Sequence, residues 1–585
     1  MKTAAQIVVL DAGGQYCHLI ARKIRDLGVY SEVRASDTPA ADLVGAKGLI
    51  VSGGPNSVYD PASPTVDPAI FQSQDDGRAC VLGICYGQQL MAHLLGGTVE
   101  LGVKGEYGLA TFDLPANGAQ TSALFDGISG PQQVWMSHRD LVSAAPPGFS
   151  VLGSTATCSI AAIEAPARGL YAVQFHPEVA HTSRGRKILS NFLFGICDCR
   201  RDWDPRHRVP QIEDEIRQCV GDRNVFFFVS GGVDSTVACA LCQRALGPER
   251  VQGVYVDTGL MREGETDSMR RMPGLSVESA EDRFLGALAG VRDPEQKRHI
   301  IGEEFVRVQE RILEARHLLD GRWILGQGTI YPDTIESGGT EKAALIKTHH
   351  NRVPGIQRLI DAGRIVEPLR SYYKDEVREI GRELGLPPEI LDRHPFPGPG
   401  LAIRCLCSDT EAGVQATADG YILPIHSVGV QGDSRSYAPV LCIDDLDQTR
   451  ATELINRISG VNRVIAQVRT AAPMQDLRVR ISAIVPERLA RLRHADAIVR
   501  RLSHASGFDR RIWQFPVVLI PLGTSAAPDS VVLRPVDSLD GMTAQSVAMP
   551  SDLLDAISAE LLSVPGISGV FYDLTHKPPA TIEWE

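Results

Sequence analysis

The chain has 585 residues, 43% hydrophobic and 22% charged, the balance of a globular protein too long for one core. Three or four compact units are expected. No uninterrupted apolar run approaches the roughly 20 residues of a membrane span, and a net charge of −12 disfavours a protein built to grip nucleic-acid phosphates.

In chain order, Met1 leads directly into an apolar strand, without the longer apolar stretch of a secretory leader. A cytoplasmic location is expected, with neither membrane nor nucleic acid as partner. To about residue 196, short apolar runs alternate with helical stretches. Ile7–Leu10, Gly48–Val51 and Cys80–Ile84 read as buried parallel strands, each entering a Gly-rich or reactive turn. The charged, Pro-bearing stretch Arg200–Pro205 reads as a linker. A second α/β unit spans about 209 to 393, with strands at Val225–Val229, Val254–Val256 and Trp323–Leu325 and a helical stretch from Glu303 to Leu319. Ligands of such sheets bind beyond the carboxyl ends of the strands. The last region, about 394 to 585, contains an internal echo. Gly460–Ile465 resembles Gly566–Phe571, each preceded by a helical stretch and, further upstream, by an apolar strand (Tyr421–Ile425 and Val517–Pro521). That order suggests a duplicated α+β module, about 394–480 and 481–585. The expected fold class is α/β throughout the first two domains, 1–199 and 209–393, and α+β in 394–585.

Of twelve cysteines, only Cys239 and Cys242 have the spacing of a zinc knuckle. They lack a second pair and lie in an apolar helical run. With Cys197/Cys199 and Cys405/Cys407 they read as structural thiols, and zinc is not indicated.

Gly83-Ile84-Cys85-Tyr86-Gly87 places a cysteine at a strand-to-helix turn. Small neighbours permit a strained elbow there, and a helix N-terminus lowers a thiol pKa and stabilises negative charge. Gln174-Phe175-His176-Pro177-Glu178 supplies a base. Proline stiffens the segment, and Glu178 can fix the imidazole as third member of a triad. The Gly53-Gly54-Pro55 turn can present backbone N–H groups to an oxyanion. Ser52-Gly53-Gly54-Pro55, Gly83-Ile84-Cys85-Tyr86-Gly87-Gln88-Gln89 and His176-Pro177-Glu178, in this order, resemble the class I glutamine amidotransferase family. The resemblance implies attack by Cys85 on the side-chain amide of glutamine, formation of a thioester and release of ammonia. It also assigns Tyr86, Gln89, Ser137 and His138 to the oxyanion or to glutamine itself.

Ser230-Gly231-Gly232-Val233-Asp234-Ser235-Thr236 follows an apolar strand and opens a helix. Glycines let the backbone approach phosphate oxygens, hydroxyls donate to them, and the helix N-terminus favours the anion. No Gly-Lys-Ser/Thr follows, so this is not a Walker loop. It resembles the loop of the ATP pyrophosphatases. That implies a grip on the β- and γ-phosphates while the α-phosphate is attacked, with Asp234 helping to place magnesium. Asp257, at the end of the next strand, is either a nucleoside contact or a helix cap.

An ammonia source combined with an ATP-cleaving site implies an amidation in which ATP activates an oxygen and ammonia displaces it. Gly326–Asp333, Ile346–Asn351, His394–Arg404 and Lys577–Glu585 follow in order, and together they resemble the glutamine-hydrolysing GMP synthetase family over essentially the whole chain. The resemblance implies the last step of de novo guanine nucleotide synthesis: adenylylation of the C2 oxygen of XMP, loss of pyrophosphate, and attack of ammonia at C2 to give GMP and AMP. Glutamine, ATP and XMP are then the small-molecule partners, Mg2+ accompanies ATP, and no organic prosthetic group is needed. XMP contacts are implied at Lys577 (phosphate), Glu583 (sugar or base), Ile582, Asp433 and Gln514. The repeat resembles the long form of the family, in which a duplicated module stands in for the contact between short chains; monomer and homodimer both stay open. Asn351–Gly355 departs from the Gly-rich version of short members.

Three rival readings fit less of the chain. An ATP-dependent tRNA-modifying enzyme would want a basic RNA surface and a reactive cysteine pair. An NAD synthetase fused to an amidohydrolase leaves Lys577–Glu585 unexplained. A non-catalytic scaffold does not account for intact Cys85, His176, Glu178 and Ser230–Thr236.

Overall fold

A computed structural model describes residues 5–14, 16–72, 79–115, 122–179, 181–336, 353–431, 434–458, 460–538 and 544–585. The described residues fall into two compact units, one within Met1–His207 and Pro332–Thr340, the other within Arg208–Tyr331 and Glu341–Glu585.

The first unit is built on β1 (Ile7–Asp11), α1 (Cys17–Arg25), β2 (Ser31–Ala35), β3 (Gly48–Val51), β4 (Cys80–Ile84), α2 (Tyr86–Leu94), β5 (Thr98–Phe112), β6 (Gln132–Ala144), β7 (Ser150–Gly153), β8 (Ala162–Ala165) and β9 (Leu170–Val173). Its sheet runs β2-β1-β3-β4-β9-β8-β7, parallel from β2 to β9 and antiparallel beyond. The apolar β3 and β9 are buried at every residue, which is why their sequences do not alternate. β5 and β6 form a separate long hairpin. The stretch read as a linker ends the first unit and is pinned to it. Trp203 stacks on Tyr30 at 4.5 Å, the Arg25 guanidinium lies over both rings, and the Gln6 side chain pairs with the backbone of Arg200. Composition marked the segment as polar, but one tryptophan decides its placement.

The second unit begins with α3 (Val209–Val220), β10 (Asn224–Phe228), α4 (Val233–Leu246), β11 (Val251–Asp257), β12 (Leu275–Ser279), α5 (Pro294–Ala315), β13 (Trp323–Gly326), β14 (Ile365–Val366) and α6 (Lys374–Glu383). A parallel sheet in the order β12-β11-β10-β13-β14 results. The helix expected at Glu303–Leu319 starts earlier, because the Asp293 side chain accepts from the Gln296 N–H and Pro294 occupies the first turn. It also stops earlier, at Ala315, with His317 in the left-handed region. Cys239 and Cys242 are buried in α4.

The remainder contains β15 (Gln415–Thr417), β16 (Gly420–Gln431), β17 (Ser434–Ile443), α7 (Gln448–Arg457), β18 (Arg463–Thr470), α8 (Pro486–Ser506), β19 (Val517–Ile520), β20 (Asp529–Leu533), α9 (Ser551–Leu562) and β21 (Ile567–Asp573). They give a sheet in the order β15-β16-β17-β18-β21-β20-β19. β16 and β17 are antiparallel, and α7 returns the chain to β18, parallel to β17. β19 and β20 are antiparallel, and α9 returns it to β21, parallel to β20. β18 and β21 meet antiparallel at the centre. Buried side chains from this sheet (Leu441, Val464, Val570) and from the parallel sheet (Phe226, Val254, Leu325) belong to one continuous hydrophobic core.

Candidate active site

In the first unit β4 ends at Ile84, and Cys85 makes the turn into α2 with φ 54° and ψ −107°. A non-glycine residue in that region is strained, and the surrounding sheet holds it there. Cys85 is buried, its Sγ 3.6 Å from the Ser137 carbonyl. His176 follows β9 and is held on all sides. Its N–H donates to the Trp135 carbonyl, its own carbonyl accepts from the Thr182 hydroxyl, and Nδ1 lies 2.7 Å from Glu178 Oε1. Burial alone would lower the His176 pKa. The Glu178 carboxylate and the Cys85 sulphur outweigh it and raise the group to about 10. That favours the protonated imidazole at neutral pH, directly beside the Cys85 sulphur. Gly53 lies close beside the pair, since a Cβ there would stand 3.0 Å from the His176 ring and 3.6 Å from the Cys85 Cβ.

The accessory residues have more specific placements than the sequence suggested. The Tyr86 hydroxyl donates to the Pro64 carbonyl and is engaged within the fold. Gln89 donates to the Asp140 carbonyl and to Gln174, so its amide nitrogen is engaged within the fold. Both ring nitrogens of His138 are paired, with the Asp140 carbonyl and with Glu106. Glu106, 32 positions upstream of His138, was not signalled by any motif, since the β5–β6 pairing alone brings the two together.

In the second unit Ser230–Thr236 joins β10 to α4. The Ser230 hydroxyl accepts from the Gly232 N–H and meets the Ser235 hydroxyl at 3.1 Å, which closes the loop on itself. Val233 and Thr236 are buried beneath it. The Gly326–Gly328 turn after β13 presses on the loop, and a Cβ on Gly328 would stand 2.6 Å from the Ser235 nitrogen. Asp234 Oδ2 is paired with Lys374 at 2.6 Å, while Oδ1 is buried without a hydrogen-bond partner. The Arg393 guanidinium donates to the Gly231 carbonyl and to Glu265. Asp257 accepts from the Gly259 N–H at the mouth of β11, a turn role within the fold. Lys374 and Arg393 were missed because neither belongs to a local phosphate-loop pattern.

At the C-terminus, Glu583 takes two bonds from Arg404, 2.9 and 2.6 Å, and one from Gln514 at 3.2 Å. Gln514 also donates to the Pro395 carbonyl. Burial pushes the Glu583 carboxyl up, but Arg404, with Arg262 and Arg298 behind it, holds it below its ordinary value. The Ile582 carbonyl accepts from Arg534, and the Lys577 backbone pairs with Ala544. Arg262 and Arg404 lie over the Phe396 ring at 4.3 and 5.2 Å. Gln514, Ile582 and Glu583 are thus brought into one neighbourhood with His394–Arg404. Asp433 and the Ile346–Asn351 motif lie outside the described residues.

The family model described as glutamine amidotransferase class-I matches residues 8–196, that of NAD synthase 206–280, and that of the GMP synthase C terminal domain 502–584. A glutamine-hydrolyzing GMP synthase of Caldicellulosiruptor saccharolyticus is 40% identical over 596 residues, covering 99% of this chain and 99% of its own. That of Parafrankia sp. is 41% identical over 601 residues, 99% and 96% of the two chains. Among solved structures, a glutamine amidotransferase from Methylobacillus flagellatus aligns over 30% of this chain and 69% of its own, at 21% identity and a TM-score of 0.25. Among the described residues no helix is long and apolar enough to cross a membrane. With relatives at this identity over its full length, the chain belongs to the family of glutamine-hydrolysing GMP synthases.

Proposed function

We propose that the first unit (about 1–199) hydrolyses glutamine and that the second (about 209–393 with 394–585) uses the ammonia to convert XMP to GMP at the expense of ATP. Cys85 sulphur attacks the glutamine amide carbon, while the backbone N–H groups of Tyr86 and the Gly53–Gly54 turn face the developing oxyanion. His176 delivers its proton to the leaving nitrogen, ammonia departs, and water cleaves the thioester to glutamate. The C2 oxygen of XMP is a poor leaving group. Its attack on the α-phosphorus of ATP forms an adenylyl ester and breaks the bond to pyrophosphate. Ammonia then adds at C2 and AMP leaves with that oxygen, giving GMP.

The observation that carries this reading is the path of Arg393–Arg404. At one end Arg393 holds the Gly231 carbonyl of the phosphate loop, and at the other Arg404 holds Glu583 of the tail. One short segment thus touches the proposed ATP grip and the proposed XMP grip. Lys577 would take the XMP phosphate and Glu583 the sugar or base, with Gln514, Ile582 and Asp433 as further contacts. Ser230–Thr236 would hold the ATP phosphates and Asp257 the nucleoside. The buried, unpartnered Oδ1 of Asp234 fits a cation, so Asp234 would hold Mg2+. When bound, the ion supplies positive charge against the triphosphate. XMP labelled with heavy oxygen at C2 tests the reaction order: the label should appear in AMP, and label retained in water or in pyrophosphate would rule out the adenylyl ester.

The two β-β-α-β runs, meeting at the antiparallel β18–β21 pair, support a duplicated module that supplies within one chain the contact two short chains would make. We read the enzyme as a monomer on that basis. Light scattering during gel filtration should give the monomer mass, and a dimer mass would refute this reading.

A further inference from the structure

The last residue of the chain is one of its most deeply placed charged groups. Glu585 is 3% exposed and lies against Lys297, which is 0% exposed and stands in the first turns of α5, on the parallel-sheet side of the second unit. The Lys297 ammonium has three N–H donors, and all three are used: Glu585 Oε2 at 2.7 Å, Glu585 Oε1 at 2.9 Å and the Cys405 carbonyl at 3.1 Å. The next residue on the helix, Arg298, donates to the Glu585 main-chain carbonyl. A fully buried ion pair is costly to assemble and a weak source of net stability, so its value is sought in what it fixes.

Its two anchor points show what that is. Cys405 directly follows Arg404, and Glu585 lies two positions beyond Glu583. Lys297 therefore spans the backbone beside Arg404 and the chain end beside Glu583, the two halves of the bidentate pair that sets the Glu583 carboxylate. Trp584, between the two glutamates, is fully buried and donates from Nε1 to Asp573, so a shift at Glu585 is passed along a rigid link. Burial alone would lower the Lys297 pKa, but Glu585 and the nearby thiols raise it, while burial pushes the Glu585 carboxyl up against the pull of Lys297.

We propose that Lys297 and Glu585 are positioning residues for XMP: a brace that runs from the ATP-sheet helix to the chain end and holds Arg404 and Glu583 in register for the nucleotide. The proposal rests on the reading of the tail as the XMP grip. A neutral residue at 585 is then expected to act on XMP affinity rather than on ATP or glutamine.

The test uses the full-length enzyme with ammonium as nitrogen donor, measuring KM for XMP, KM for ATP, kcat and thermal midpoint. Glu585→Gln keeps the shape and removes the charge; it should raise KM for XMP about tenfold or more, equivalent to about 1.4 kcal/mol, with KM for ATP and kcat changed less than about threefold. Because a single charge left unpaired can unfold the protein, the double variant Lys297→Met/Glu585→Met is the control that removes both charges together. It should regain thermal stability without regaining XMP affinity. If the double variant restores KM for XMP along with stability, or if Glu585→Gln lowers only the thermal midpoint, the pair is merely structural and the proposal fails. Glu583→Gln separates the two levels: an unchanged KM for XMP there overturns the tail reading itself, whereas a raised KM there with a normal one in Glu585→Gln overturns only the brace.

Discussion

In the cysteine centre the reactive groups stand at the ends of regular structure. Cys85 follows β4, His176 follows β9, and Gly53 follows β3. Parallel pairing places these turns side by side, so a few local motifs suffice to build the site. The C-terminal tail is the opposite case. Thr575–Glu585 is irregular chain, held by Lys297 and by buried arginines from three further distant stretches. Arg534 donates to the carbonyls of Thr575, Thr581 and Ile582, Arg463 to those of Thr581 and Glu583, and Arg404 to the Glu583 carboxylate. Such carbonyls would otherwise be buried and unsatisfied. Both Arg463 and Arg534 lean on Asp573 at 2.8 Å. Burial pushes that carboxyl up, but the two guanidinium groups hold it below its ordinary range. Sheet geometry alone fixes the cysteine centre, while the irregular tail proposed to hold the nucleotide rests on a charged scaffold beneath it.

The contrast is open to attack at four points. Asp234→Ala removes the proposed cation contact and leaves Lys374 without its partner. XMP-dependent pyrophosphate release should fall about 1,000-fold, about 4 kcal/mol in barrier, with either nitrogen source; unchanged release would remove the loop from the mechanism. Asp573→Ala strands two buried guanidinium groups and should cost about 3–5 kcal/mol in urea unfolding. A loss below about 1 kcal/mol would show that the tail does not depend on its cations.

Glu178→Gln probes the geometric centre instead. Because the folded His176 pKa of about 10 lies above the unperturbed 6.5, the stabilisation from its charged partners is complete below about pH 6.5 and is lost as pH rises through about 10. Glutaminase activity of the parent should fall on an alkaline limb near pH 10. In the variant that limb should move to lower pH and the rate should drop about 100-fold. An unmoved limb would assign it to another group. The smallest effect is expected from Trp203→Ala, which removes the stack on Tyr30 and Arg25. A loss of about 1–3 kcal/mol in the stability of the first unit, with full activity of the ammonium-dependent reaction, would match an anchored linker.

How much of this was legible in the sequence follows the same divide. The strands at Ile7–Leu10, Gly48–Val51 and Cys80–Ile84 were readable because unbroken apolar runs mark strands buried on both faces. The elbow at Cys85 was readable because its neighbours must be small. The echo between Gly460–Ile465 and Gly566–Phe571 runs into β18 and β21, which occupy matching places in their β-β-α-β runs. The linker's polar composition did not show its anchorage, which rests on Trp203. The partners of the site residues were hidden. Lys374, Arg393, Arg463, Arg534 and Lys297 act across 100 or more positions in most cases, and an isolated arginine or lysine carries no periodicity to mark it. Local pattern reveals a site whose groups lie at strand ends, and it is silent about a site assembled by long-range charge pairing.

The central claim is that one chain joins two separable chemistries, with the nitrogen source in the first unit and the amination in the second. The most direct test is the Cys85→Ala enzyme supplied with ATP, magnesium and XMP, first with glutamine and then with ammonium. GMP and AMP should form in equal amounts with ammonium at close to the parent rate, and with glutamine the rate should fall at least 1,000-fold, about 4 kcal/mol. Loss of GMP formation with both nitrogen sources, or XMP left unreacted by the parent enzyme, would contradict the account.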